Sequence, residues 1–278
     1  MRRLGSLLFF SLALLTIATK PVHAQYREWG ASVGTTHYFG DLNADFNPTH
    51  PSIMAMCNYR RILNPFFAFR VDAVYGKAYY DSKWSSNSYW AYQNFNYKSN
   101  FGMVNPMLEF NLFKYEVDKD KYETGFTPYV ATGIGAGFFV NEAVYNGQKY
   151  KLYDLHTEGL KYNQVFFTFP MEFGLKWRLA KAWTLAVHTC YIATTTDYLD
   201  DVGGTYHGND VTSGGNNLTD PSNKLNPLGD VINKQRGMKG KDALLLTGIS
   251  LHYSLLYKRC PMVGTDPDAD YIRWWKSK

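Results

Sequence analysis

Long apolar runs are missing from this chain after its first two dozen residues. A helix that crosses a membrane needs roughly 18 or more consecutive apolar residues with few or no charges. No stretch beyond residue 24 approaches that length without a charged side chain. The sequence therefore excludes a protein that spans a membrane with helices.

Cysteine is scarce and the net charge is small. The 3 cysteines are Cys57, Cys190 and Cys260, and an odd number in an exported protein leaves at least one thiol free or bonded to another chain. Lysine and arginine total 29 and the acidic residues 24. Three of those basic residues and no acidic one lie before residue 25, so the remainder is nearly balanced. That balance excludes the basic footprint of a nucleic-acid partner.

The N-terminal segment has the three parts of a secretory signal peptide. Arg2 and Arg3 precede an apolar stretch that runs from Leu4 to about Ala18. Val22-His23-Ala24 then has small residues at the positions that signal peptidase reads. We expect residues 1–24 to be a cleaved signal peptide, and the lack of a cysteine near that junction argues against a lipoprotein anchor.

Aromatic residues are abundant, although the chain is moderately polar overall. Tyr, Phe and Trp make up 17% of the residues, while the mean hydropathy is −0.33. A membrane β-barrel needs both properties, because its outer face is apolar with aromatic girdles and its lumen is polar.

Apolar and polar residues alternate with a period of two through most of the chain. The clearest segment runs from Val165 to Leu179. Its odd-numbered positions are Val, Phe, Phe, Met, Phe, Leu, Trp and Leu, and its even-numbered positions include Glu172, Lys176 and Arg178. Successive side chains of a strand face opposite ways, whereas a helix would mix the two sets. The alternation predicts eight strands at 28–39, 53–61, 67–76, 104–112, 129–140, 165–179, 183–195 and 245–257.

The connections between these strands alternate in length. Those at 62–65, 114–127 and 180–182 are the shorter set, and those at 40–51, 81–98, 141–163 and 196–241 are long. Short periplasmic turns and long external loops are typical of outer-membrane barrels. We therefore expect an all-β, eight-stranded antiparallel transmembrane β-barrel at residues 25–257, exported to the cell outer membrane and surrounded by its lipid. The alternative is a soluble β-sandwich or lipocalin-like barrel, which would turn the apolar set inward.

Charged residues occur on the parity that would face the lumen. An eight-stranded barrel is just filled by its own side chains, and unpaired buried charges are costly. We therefore expect these residues to form a buried network of paired charges, with a channel or proton path as the alternative. The set is Glu28, Arg60, Arg70, Asp72, Glu109, Glu172, Lys176, Arg178 and His188.

Motifs that would support catalysis, metal binding or cofactor binding are weak. Gly133-Ile134-Gly135-Ala136-Gly137 lacks the following helix of a dinucleotide site, so these glycines more simply relieve crowding inside the barrel or shape its curvature. His207 near Asp200, Asp201 and Asp210 is a candidate rim site, but its Gly- and Asn-rich setting predicts a mobile loop. We expect no cofactor, no metal and no enzymatic activity.

Several of these motifs resemble the PorG family, outer-membrane barrels of the type IX secretion system. The resemblance rests on Glu28-Trp29-Gly30-Ala31-Ser32-Val33-Gly34, Tyr38-Phe39-Gly40-Asp41-Leu42-Asn43, the hairpin from Asn58 to Arg70, and Pro128-Tyr129 leading into Gly133-Ile134-Gly135. It covers most of residues 26–257. It implies a non-catalytic component that anchors the periplasmic ring of PorK and PorN to the outer membrane. The rival interpretation is a free-standing barrel that acts through its external loops in adhesion or envelope integrity.

The residues after Tyr257 predict a short periplasmic tail, 258–278. Ile272, Trp274 and Trp275 are costly to leave exposed on a short segment, and Trp often dominates interface energy. We expect them to bind the ring proteins, with the membrane interface as the alternative site for these rings. Cys260 is the thiol best placed for an intermolecular disulfide, because strand parity turns Cys57 toward lipid and Cys190 toward the lumen.

Overall fold

A computed structural model gives the structure of the chain. It describes residues 27–43, 49–84, 96–115, 125–145, 147–180, 182–206, 212–213, 216–217, 236–237 and 240–255. Within these ranges, no helix is long and apolar enough to cross a membrane.

Antiparallel strands close into a ring, as the alternation predicts. Its strands are β1 (Arg27–Phe39), β2 (Ser52–Ile62), β3 (Phe67–Asp81), β4 (Asn96–Asn111), β5 (Phe126–Gly133) with β6 (Gly135–Tyr145), β8 (Val165–Arg178), β9 (Trp183–Thr194) and β12 (Ala243–Leu255). β1 pairs with β2 on one side and with β12 on the other, and the remaining members pair in turn, so the ring is closed. β5 and β6 form one member of the ring, because both pair with β4 and with β8 around a single interruption at Ile134. The ring of eight is therefore confirmed.

The shorter elements belong to one end of the barrel. β7 (Gln148–Lys151) continues the hairpin that starts with β6, and it leads into the one-turn helix α1 (Leu152–Leu155). β10 (Thr212–Ser213) and β11 (Asn216–Asn217) form a separate two-stranded pair in the connection before β12. Single turns of 3-10 helix follow β1 at Asp41–Asn43 and β3 at Ser82–Trp84.

The barrel is apolar outside, and charged side chains face inside. Large apolar side chains on its outer face are exposed, such as Val33 at 70%, Phe167 at 62% and Ile249 at 55%. Charged side chains on the inner face, such as Arg60 and Glu109, are fully buried. A soluble barrel has the opposite arrangement. The protein is therefore a membrane-spanning β-barrel, with lipid as the medium that covers its outer face.

Aromatic pairs mark the end of the barrel that carries the short connections. Neighbouring strands bring their rings together in four outward pairs, with centroids 4.9 to 5.4 Å apart: Trp29–Tyr59, Phe67–Phe110, Phe126–Trp177 and Trp183–Tyr253. Aromatic girdles of this kind settle at the interface between lipid and water. This end is the periplasmic end in the orientation that the loop lengths predict.

Strands at the opposite, external end extend beyond their predicted limits. β4 begins at Asn96 rather than Val104, and β3 reaches Asp81, where the two strands pair as Asp81↔Asn96. The alternation misses this stretch because its outward positions are Lys98, Asn100 and Gly102, which lack the apolar residues that lipid requires. β6 and β7 form a hairpin that ends with the pair Tyr145↔Gln148, and Gly147 has φ +77°.

A charge on the lipid-facing wall tests this arrangement. Ile249 pairs with Val33 and Val187 in the middle of the wall. Ile249→Arg should lower the free energy of unfolding in lipid vesicles by about 2–4 kcal/mol, the range for Arg at a bilayer midplane. Leu160→Arg is the matched control, because Leu160 is equally exposed but lies in the external connection after α1. Denaturant titration by tryptophan fluorescence measures both, and equal losses would contradict the membrane-spanning assignment.

Candidate functional site

A cluster of ion pairs fills the lumen toward the periplasmic end, and Glu109 lies at its centre. One Glu109 oxygen is 3.1 Å from Arg60 Nη2 and 3.3 Å from Arg70 Nη1. The other accepts a hydrogen bond from the ammonium group of Lys176. These residues come from β2, β3, β4 and β8, so a single carboxylate ties four strands together across the lumen.

Further carboxylates complete the pairing of the two arginines. Arg60 Nη1 is 2.7 Å from Glu28 Oε2, and Arg70 Nη2 is 2.7 Å from Glu172 Oε2. Arg70 also places its Nε 2.9 Å from a carboxylate oxygen of Asp72. We call the set Glu28, Arg60, Arg70, Asp72, Glu109, Glu172 and Lys176 the charge layer. Its members are buried and ion-paired, which is the arrangement that buried charges require.

Two tyrosines donate hydrogen bonds to the charge layer. Tyr115 donates to Glu28 Oε1 at 3.0 Å, and Tyr129 donates to Glu172 Oε1 at 2.7 Å. Lys176 Nζ lies 4.1 Å from the Tyr129 ring centroid and 5.3 Å from that of Tyr115, within the range of cation–π contacts. Sequence reasoning missed both residues. The strand parity of Tyr129 indicates that it faces the lumen. Tyr115 reaches the lumen from the connection after β4, where no periodicity applies.

The remaining two residues of the predicted network occupy less central positions. His188 is buried, and its Nδ1 lies 3.1 Å from Ser250 Oγ across β9 and β12. Arg178 is half-buried at the periplasmic end, with its guanidinium 5.5 Å from the Tyr115 ring centroid. The structure thus brings seven of the nine predicted residues into direct ion pairs and places the other two at the margin.

Above the charge layer the lumen is filled by apolar side chains. Inward positions of the upper strand halves contribute Met54, Met56, Val74, Phe101, Met103, Phe139, Phe166, Ile192, Leu244 and Leu246, together with Cys190. Leu199, Val202 and Tyr206 of the connection between β9 and β12 pack onto the same cluster from outside. We call this cluster the apolar plug.

Contacts among Thr157, Glu158, Tyr162, Asp201 and Arg236 join the connection after β7 to the connection between β9 and β12. We call this group the external cap, and it covers the apolar plug. Asp201 accepts hydrogen bonds from Thr157 Oγ1 at 2.5 Å and Tyr162 Oη at 2.7 Å. Arg236 pairs with Glu158 at 3.1 Å and donates to the Asp201 carbonyl oxygen at 2.6 Å. Burial raises the pKa of Asp201 to about 6, although Arg236 opposes that change.

Asp200 and Asp201 are not solvated, and part of the Gly- and Asn-rich segment 203–217 that predicts a mobile loop lies outside the described residues. Both aspartates are 1% exposed and hydrogen-bonded, because their segment carries apolar residues that the plug buries. His207 and Asp210, the other members of the candidate rim site, lie outside the described residues. Within the described ranges, no group of three or more His, Cys, Asp or Glu side chains is placed to hold a metal ion.

Glycines on β5 and β6 allow close packing against the inner wall. A Cβ at Gly135 would lie 2.0 Å from Asn105 Oδ1, and one at Gly137 would lie 2.8 Å from Phe166 Cζ. Larger residues would clash with these neighbours. The glycine run therefore relieves crowding between adjacent strands, as its parity predicts.

The cysteines occupy separate environments. Cys57 is exposed on the outer face and Cys190 is buried in the lumen, so the two do not pair. The predicted partner-binding residues Cys260, Ile272, Trp274 and Trp275 lie outside the described residues.

These features define an outer-membrane-type β-barrel with a filled lumen and a capped external mouth. Residues 7–261 match the family described as Domain of unknown function (DUF6089), and the chain belongs to that family.

Similar solved structures are small outer-membrane barrels of low sequence identity. Neisserial surface protein A has a TM-score of 0.42 and 7% identity, over 82% of this chain and 96% of that one. The outer membrane protein OprG from Pseudomonas aeruginosa has 0.38 and 9%, over 84% and 96%. The outer membrane enzyme PagL has 0.30 and 11%, over 83% and 99%. No curated protein matches.

Removing the central carboxylate should destabilise the barrel strongly. Glu109→Ala leaves Arg60, Arg70 and Lys176 with fewer counter-charges in a buried site, at a cost of about 3–5 kcal/mol. Glu142→Ala is the matched control, since Glu142 faces outward on β6 and is partly exposed. Loss of heat-resistant, compact gel mobility for the first variant alone is the expected result. Retention of that mobility by Glu109→Ala would contradict the central position of Glu109.

Proposed function

We propose that this protein is a non-catalytic outer-membrane component of the type IX secretion machinery, which anchors a periplasmic ring of the PorK and PorN type. The filled lumen is the observation that supports this proposal most directly. Charged side chains occupy the lower lumen, apolar side chains the upper lumen, and loops cover the mouth. Such a barrel is suited to hold a complex in the membrane rather than to pass a solute.

The residues that resemble the PorG family support the same proposal. Glu28, Arg60 and Arg70 belong to the charge layer. Tyr38 and Gly40, from the second resembling segment, lie at the external mouth beside Asp242. Part of the resemblance therefore falls on residues that build the filled interior.

The periplasmic side is the side on which a ring would bind. β12 ends at Leu255, next to Arg27 of β1 and at the same end as the short connections. Residues 258–278 continue from that point, and we propose that Ile272, Trp274 and Trp275 dock the ring proteins. Cys260 is the proposed site of an intermolecular disulfide.

A free-standing barrel that acts through its external loops is the second candidate. The ordered cap favours it, since the loops at 147–164 and 195–206 are fixed to each other by the contacts of Asp201 and Arg236. A fixed external surface can present a constant face to a partner outside the cell. Co-purification distinguishes the two candidates, because a free-standing barrel would retain no ring proteins.

The barrel should not conduct ions. The motivation is a lumen that eight strands leave just wide enough for side chains and that buried residues occupy from the charge layer to the cap. Purified protein in planar bilayers should show no stable open channels. Large, long-lived conductance steps would overturn this expectation and favour a pore.

Deletion of residues 261–278 tests the docking proposal. The truncated barrel should fold in the membrane, because its described strands end at Leu255, but tagged protein should no longer bring the ring proteins with it from detergent extracts. Trp274→Ala with Trp275→Ala is the finer variant, and Cys260→Ser should abolish a higher-mass band on non-reducing gels. Retention of the ring by the truncated barrel would exclude the tail as the dock and direct attention to the turns at 62–65 and 114–127.

A further inference from the structure

The mouth of the barrel contains a buried triad of two carboxyl groups and one phenol. The Tyr38 hydroxyl oxygen lies 2.6 Å from Asp200 Oδ2 and 2.9 Å from Asp242 Oδ1. The other oxygen of each carboxyl group accepts a backbone N–H, from Val202 at 3.0 Å for Asp200 and from Leu199 at 2.8 Å for Asp242. All three triad side chains are buried.

The triad has one phenolic proton for two short contacts. A tyrosine hydroxyl donates a single hydrogen bond, so the second contact requires a proton on one carboxyl group, which then donates to the phenol oxygen. Two ionised carboxylates around one buried hydroxyl would also repel each other. The arrangement is therefore fully satisfied when Asp200 and Asp242 together hold one extra proton.

The groups that face the triad further favour its protonated state. Asp41, on the turn after β1, is buried beside it, Asp197 lies in the same loop, and Tyr97 of β4 packs edge-on against Tyr38 with ring centroids 5.0 Å apart. Burial, followed by the charges of Asp242 and Asp41, raises the pKa of Asp200 well above its ordinary value. Burial raises the pKa of Asp242 as well, and Asp41 and Asp197 add to that change.

Two cations of the described residues lie in the same connection as Asp200 and Asp242 of the triad. Arg236 pairs with Glu158 on the other side of the cap, and Lys241 is exposed and acts on Asp197. Among the described residues, the groups whose charges act most strongly on the two carboxyl groups are acidic.

The triad determines where the segment 196–206 lies. Leu199 and Val202, whose amides donate to the two carboxyl groups, bury their side chains in the apolar plug. Gly40 is required beside the triad, since a Cβ there would lie 1.8 Å from the Tyr38 hydroxyl and 2.2 Å from Asp242 Oδ1. The same contacts therefore close the barrel mouth and satisfy the triad.

We propose that Tyr38, Asp200 and Asp242 form a proton-operated latch that holds residues 196–206 in the external mouth of the barrel. With the shared proton, the triad binds β1, the loop and the start of β12 to one another. Loss of that proton places two negative charges around one phenol and releases the segment. Because the closed mouth binds the proton more tightly than the open one, its stability is greatest at low pH and declines as the pH rises toward the raised pKa values.

Hydrogen–deuterium exchange of the purified barrel in detergent tests the latch, since the Leu199 and Val202 amides donate directly to its carboxyl groups. After correction for intrinsic exchange, protection of peptides covering 196–206 should fall roughly tenfold or more between pH 5 and pH 9, because each unit of pKa difference changes the opening equilibrium about tenfold. Asp200→Asn with Asp242→Asn removes both titratable carboxyl groups of the triad. Its protection should stay constant over this range.

Two further variants make the result unambiguous. Asp200→Asn alone should already remove most of the pH dependence, because the repulsion needs both carboxylates, and it serves if the double variant fails to fold. Asp154→Asn is the matched control, since Asp154 is exposed on α1, and it should follow the wild-type curve. Wild-type protection that does not change with pH, or a parallel fall in the asparagine variants, would overturn the proposal.

Discussion

Charges that face a closed lumen must find their partners inside it. Eight strands leave room for side chains but not for bulk water, and a buried ion without a counter-ion is strongly destabilising. Glu109 meets this constraint by pairing with Arg60, Arg70 and Lys176, and the outer carboxylates pair with the same arginines. Three of these contacts cross the lumen between strands that are not neighbours in the ring: Arg60 with Glu109, Arg70 with Glu172, and Lys176 with Glu109. The charge layer therefore fixes which strands face one another.

The division of the lumen into two layers follows from the same constraint. Ionic side chains collect toward the periplasmic end, where Tyr115 and Tyr129 complete their hydrogen bonds. Apolar side chains fill the rest, and the external loops bury Leu199 and Val202 on top of them. The barrel thus presents a closed external mouth and a solid interior. Both properties support the anchoring role that we propose.

The period-two pattern predicts the ring well because lipid and lumen demand opposite side chains on successive residues. For the same reason it predicts that the nine charged and histidine residues of the expected network, such as Glu28 and His188, face inward. The pattern makes no prediction for residues outside the membrane-spanning strands. Tyr115 and the residues 196–206 reach the lumen from connections, where nothing alternates, and the start of β4 lies above the lipid, where outward positions are polar. Contacts between distant segments, such as Tyr38 with Asp242, have no local signature in the sequence.

A double-mutant cycle on Glu28 and Arg60 tests the central role of internal charge pairing most directly. The two side chains are fully buried and their charged atoms lie 2.7 Å apart. Glu28→Gln and Arg60→Met should each lower the free energy of unfolding by about 3–5 kcal/mol, since each leaves a buried partner short of its counter-charge. The double variant should lose markedly less than the sum, because it removes both charges together. Strictly additive losses would show that the two charges do not depend on each other and would contradict the account.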